Sequence, residues 1–107
     1  MVYLSNAFSL GMLKGDGVLR VQQIPLEEAV KILSSGFTSA VGHQSTAKVI
    51  EELTGIPIPV NRIAITLQKG DTLVVFQLLT RLPEGAVLTT EEIEKLPFQF
   101  FTVEVVE

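Results

Sequence analysis

Thr72-Leu73-Val74-Val75-Phe76-Gln77-Leu78-Leu79 is an almost unbroken apolar run. A strand with one wet face alternates apolar and polar residues, whereas a strand covered on both faces does not. The run therefore reads as the central strand of a sheet with layers packed on both sides. Upstream, Arg62–Leu67 alternates, with Ile63, Ile65 and Leu67 on one face. Lys69-Gly70-Asp71 between them reads as a hairpin turn. Downstream, Phe98–Val106 reads as a last strand, with Phe101, Val103 and Val105 inward and Thr102 and Glu104 outward.

The amino-terminal part supplies the rest of the sheet and its helices. Val2–Leu4 and Val18–Ile24 read as strands, and Phe37–Val41 as a short extended segment. Ala7–Leu13 is ambiguous, because Gly11 weakens its helical spacing. Leu26, Ala29, Val30 and Leu33 recur at i, i+3, i+4 and i+7, which predicts a helix over Pro25–Ser34. Gln44–Thr54 is a second helix, with Ala47, Ile50 and Leu53 on one side and Gly55 closing it. Thr89 and Glu92 form a capping box that opens a short third helix before Pro97. The expected fold is α/β: a small single domain over residues 1–107, with a mixed, mainly β sheet of about five strands flanked by helices.

Composition narrows the chemistry. The chain has 107 residues, 47% of them hydrophobic, which fits one packed core and not a disordered segment. With no Cys, disulfides, thiolate metal sites and Cys nucleophiles are excluded. A single His argues against a histidine-rich metal site. The start of the chain lacks a basic stretch followed by a long apolar run, and no segment approaches the roughly 18 apolar residues of a membrane span. A cytoplasmic setting with no membrane partner is the expectation.

Three stretches carry candidate chemistry. Gly42-His43-Gln44-Ser45-Thr46 lies where a short strand gives way to a helix. Helix-start N–H groups lack internal partners and carry the positive end of the dipole, so the stretch is either an anion site or simply a capped helix start. Gln77 interrupts the apolar run on the face of Leu73, Val75 and Leu79; a buried amide there either bonds structurally or turns to a ligand. Arg81, at the strand exit, has a donor fork that suits phosphate, with Glu84 three residues on in a Pro/Gly loop. Ser5-Asn6-Ala7-Phe8-Ser9 reads as a turn whose Asn and Ser could also touch a ligand. Lys14, Arg20, Lys48 and Arg62 read as scattered surface charges. No Walker A, GxGxxG or GxSxG pattern is present.

Taken together, Val2–Ser9, Val41–Thr46 and Gln77–Gly85, with Asn61-Arg62 and Gln99-Phe100-Phe101, resemble the small viral ring nucleases. These act as type III anti-CRISPR proteins and have bacterial and archaeal relatives. The resemblance spans nearly the whole chain, in order and at similar spacing. It implies a homodimer that binds cyclic tetra-adenylate. It also implies cleavage, without metal or cofactor, to linear adenylates ending in a 2′,3′-cyclic phosphate. The family's essential His, Arg and Glu fall on His43, Arg81 and Glu84, and its Gln on Gln77. Ring contacts are expected from Asn6, Phe8, Ser9, Gly42, Gln44, Ser45 and Thr46. Thr80–Leu88 corresponds to the loop that folds over the bound ring. Two departures stand out: Gly11 replaces an Asn, and the segment before the last strand is shortened to Leu96-Pro97.

The alternatives are a sponge that holds the messenger uncut and a DNA-binding or partner-binding regulator. Charge distribution bears on these. Residues 1–83 hold seven Lys/Arg and six Asp/Glu, while residues 84–107 hold one Lys and six Glu. The acidity belongs to the tail. A near-neutral body with a few placed donors suits a small ring better than a long nucleic acid.

Overall fold

The structure, a computed structural model, describes residues 1–79, 91–92 and 95–106. Its core is a sheet of five strands: β1 (Val2–Ser5), β2 (Leu19–Ile24), β3 (Thr38–Ser39), β4 (Thr72–Leu78) and β5 (Phe98–Val105). They lie in the order β2-β5-β4-β1-β3. β1 runs parallel to both β3 and β4, whereas β5 is antiparallel to β4 and β2. This is the mixed α/β sheet expected.

β4 is central, as its unbroken apolar run requires. Val74 and Phe76 point to one layer, Leu73 and Val75 to the other, and all four are buried. The first layer is helical. α1 (Leu26–Ser34) and α2 (Gln44–Thr54) press Ala29, Leu33, Ala47 and Ile50 against Leu4, Val74, Phe76 and Phe100. The phenyl rings of Phe76, Phe98 and Phe100 pack with centroids 5.2–6.1 Å apart, within the range of favourable aromatic pairs. On the opposite face Ile65 and Leu67 cover Leu73, Val75 and Val103, with Phe8 and Met12 beside them. Among the described residues no helix is long and apolar enough to cross a membrane.

Both helix ends follow local chemistry. Pro25 sits one place earlier than expected, at the N-cap of α1 with extended backbone. Gly55 ends α2 at φ 72°, where a Cβ would meet the following carbonyl, and its N–H donates to the Glu51 C=O at 2.8 Å.

Four expectations need correction. Arg62–Leu67 joins no strand ladder; its one bridge pairs Leu67 with Leu13. The alternation does bury Ile65 and Leu67, but Ile63 is exposed. The backbone just before it is occupied elsewhere: the Asn61 N–H donates to the Val41 C=O at 2.8 Å. Lys69-Gly70-Asp71 is a turn but not a hairpin, since β4 takes β1 and β5 as its partners. It is closed by the Asp71 N–H donating to the Gln68 C=O at 2.9 Å, while the Asp71 carboxylate accepts the Gln68 N–H at 2.9 Å. Thr102 is buried rather than outward, because β5 is covered on both faces. Only Thr38–Ser39 of Phe37–Val41 pairs as strand. The Ala7–Leu13 stretch is resolved as a single 3₁₀ turn over Leu10–Met12. Of the capping box, Thr89 lies outside the described residues.

Candidate functional site

Parallel pairing brings the carboxyl ends of β1, β3 and β4 to one edge of the sheet. In α/β sheets ligands bind at such an edge, where loops and helix starts converge. β1 is in register with β4 through Ser5 opposite Val75, so the next residue, Asn6, comes up beside Phe76 and Gln77. β3 leads through Ala40–Gly42 into α2, which starts at the same edge.

Three adjoining concavities open there, and Asn6 lines all of them. One, of about 360 Å³, is formed with Ala40, Gly42, His43, Arg62 and Ile63. A smaller one, about 210 Å³, lies among Thr46, Phe76, Gln77 and Leu78. The third, about 380 Å³, runs onto the face opposite the helices and is walled by Ala7, Phe8, Val21, Val75, Phe101 and Val103, with Gln77 at its rim. Polar donors thus lie at the sheet edge, and apolar walls beside them.

Division of labour at the end of β1 is clear. Ser5 is buried and its Oγ accepts the Ala7 N–H at 3.3 Å, which makes the turn. Asn6, half-buried, is left facing the concavities, with no hydrogen-bond partner among the described residues. The sequence reading gave the turn to both.

The start of α2 resolves a second ambiguity. His43, not Ser45 or Thr46, is the N-cap residue, at φ −125° and ψ 130°. Its side chain is exposed and makes no capping hydrogen bond. Its C=O accepts the Ala47 N–H at 3.0 Å, the first internal bond of the helix. The N–H groups of the first turn are therefore left without a capping side chain, as an anion site needs.

Gln77 is exposed, not buried: on the face opposite the helices the cover from Ile65 and Leu67 reaches Leu73 and Val75 but not Gln77, so the amide meets the concavities instead of the core. The structure thus brings together Asn6, Phe8, Gly42, His43, Thr46 and Gln77. Ser9, Gln44 and Ser45 line none of the three concavities, although Gln44 and Ser45 belong to the open first turn of α2. Arg81 and Glu84 lie outside the described residues.

Arg62 is the residue whose place the sequence left unassigned: it counts there as a scattered surface charge and, with Asn61, as part of the resemblance, with no site role. It lines the His43 concavity, and its Nε–H donates to the Gly42 C=O at 2.8 Å. A single Arg at the start of an alternating stretch does not by itself reveal what it faces. Its place depends on how Pro59–Arg62 returns alongside Ser39–Gly42, which only the folded chain shows.

Comparison with known proteins agrees with this architecture. A family model described as STIV B116-like matches residues 2–100. Protein 26 of Sulfolobus islandicus filamentous virus is 39% identical over 99% of this chain and 92% of its own length. ORF117 of Acidianus two-tailed virus is 32% identical over all of this chain and 95% of its own. YddF of Bacillus subtilis is 33% identical over 79% of this chain and 82% of its own, so similarity extends beyond viruses. Among solved structures, B116 of Sulfolobus turreted icosahedral virus superposes with a TM-score of 0.83 at 29% identity, covering 96% of this chain and 97% of that one.

Proposed function

The chain belongs to the STIV B116-like family, and from that premise we propose that it is a metal-independent ring nuclease that opens cyclic tetra-adenylate and so silences type III CRISPR signalling. The reading rests on the resemblance of its motifs to viral ring nucleases. The observation that carries it is the meeting of Asn6, His43, Thr46 and Gln77 around the uncapped start of α2, at the carboxyl ends of parallel strands.

The chemistry needs little from the protein. The ribose 2′-hydroxyl loses its proton to solvent as its oxygen bonds to the adjacent phosphorus, the P–O5′ bond breaks, and a 2′,3′-cyclic phosphate remains. Holding these three atoms in line is positioning work. His43 as imidazolium protonates the departing 5′-oxygen. The first-turn N–H groups of α2 and Arg81 hold the phosphate as negative charge builds on it. The resemblance gives Glu84 the part of orienting His43. A homodimer would present two such sites to the two-fold-compatible ring.

The test is incubation of labelled cyclic tetra-adenylate with the protein in the presence of a chelator, beside His43→Ala. Cleavage by the wild type, reduced by about 10²–10⁴-fold in His43→Ala, is the expected result for loss of a general acid. Retention of the uncut ring would replace the nuclease reading with the sponge. Neither binding nor cleavage would overturn both.

A further inference from the structure

We infer that Arg62 is a positioning residue for His43, acting as a latch on the Gly42–His43 peptide. Two backbone stretches, Ser39–Gly42 and Pro59–Arg62, run side by side and are tied at successive points. Ser39 Oγ–H donates to the Pro59 C=O at 2.6 Å, and the Asn61 N–H donates to the Val41 C=O at 2.8 Å. The Asn61 side-chain amide donates to the Ser39 C=O at 2.8 Å. The last tie before His43 is Arg62 Nε–H to the Gly42 C=O, also 2.8 Å.

That last bond matters because of covalent geometry. The Gly42 C=O and the His43 N–H belong to one planar trans peptide and point in opposite directions. Pinning the carbonyl therefore fixes the plane from which the His43 side chain and the first turn of α2 depart. A guanidinium donor makes this a charge-assisted bond, stronger than a neutral one.

Gly42 is fitted to the same latch. Its backbone is not in the left-handed region, so conformation does not demand glycine. Space does: a Cβ at position 42 would stand 2.9 Å from Arg62 Cγ, with Cδ and Nε at 3.7 Å. Cγ lies near the root of the side chain, so it can retreat only by carrying Nε off the carbonyl. Arg62 and Gly42 thus form one device, and loss of either releases the other.

The inference rests on His43 being the proton donor proposed above, but its test does not. His43 is the sole histidine, so its imidazole signals, and its backbone amide signal in protein labelled with ¹⁵N at histidine only, are unambiguous in NMR spectra. Arg62→Ala, Arg62→Lys, Gly42→Ala and the double variant Gly42→Ala/Arg62→Ala are compared, with thermal unfolding followed by circular dichroism as the check on folding. Both Arg62 is exposed and Gly42 is partly so, and all variants are expected to fold. The latch predicts that each single variant shifts the His43 amide and lowers its order on the nanosecond timescale, and that Arg62→Lys behaves like Arg62→Ala. In single-turnover cleavage of cyclic tetra-adenylate each should lose roughly tenfold in rate, with ring affinity changed far less. The double variant should be no worse than Arg62→Ala.

Rescue of the amide signals by Arg62→Lys would overturn the latch, since charge alone would then suffice. So would additive losses near 100-fold in the double variant, which would make the two residues independent. If the wild type cleaves nothing while the amide signals respond as stated, the ring-nuclease reading fails and the latch stands.

Discussion

Replacement of Ser39 by Ala tests the scaffold beneath the site. Ser39 is buried, and its hydroxyl serves two backbones at once. It donates to the Pro59 C=O at 2.6 Å and accepts the Val41 N–H at 3.3 Å. Ala removes both bonds and leaves the N–H of a fully buried residue without that partner. At about 1 kcal/mol for each net bond, plus part of the penalty for a buried orphan, the expected loss is roughly 2–3 kcal/mol. For a chain of this size that corresponds to a fall in Tm of about 10 °C or more. The control is Ser34→Ala, which removes a hydroxyl bond of the same 2.6 Å length, to the Val30 C=O, but at an exposed position near the end of α1. Water replaces that bond and Ala favours the helix, so the change should stay within about 0.5 kcal/mol. Urea unfolding followed by far-ultraviolet circular dichroism suits a protein without Trp. Equal losses in the two variants, or a Ser39→Ala loss under about 0.5 kcal/mol, would refute the claim that burial sets the cost.

Other expectations follow from the same geometry. Phe76→Ala empties the centre of the aromatic cluster and should cost about 3–5 kcal/mol, measured by the same unfolding titration. Gly55→Ala forces a Cβ into the left-handed region at φ 72°, though it meets no neighbour, and should cost about 1–2 kcal/mol. Gln77→Ala removes an exposed amide, so stability should change by less than about 0.5 kcal/mol. Its affinity for cyclic tetra-adenylate, measured by calorimetry, should nevertheless fall.

Several features were legible in the chain because they depend on neighbours in sequence. The bounds of α2 come from its amphipathic spacing and from Gly55, both local. The central place of β4 comes from the absence of alternation, since only a doubly covered strand can be apolar on both sides. The start of α2 after Gly42-His43 was likewise readable as a strand–helix junction. The Arg62–Leu67 segment shows where such reading stops. Its alternation is real and buries Ile65 and Leu67, yet β4, the strand that follows it, is already paired on both sides by β1 and β5, and alternation alone does not reveal that.

What the sequence determined by itself was both helices, strands β1, β2, β4 and β5, and the types of donor they carry, because periodicity, caps and turns are short-range physics. Which donors meet was decided by tertiary structure alone. Parallel pairing of β1 and β4 sets Asn6 beside Gln77, about seventy residues away in the chain. The return of Pro59–Arg62 along Ser39–Gly42 turns an ordinary surface Arg into a partner of the His43 turn. Gln77 changed from a buried amide to an exposed one because its strand outruns its cover, a matter of register between layers that no single stretch of sequence records.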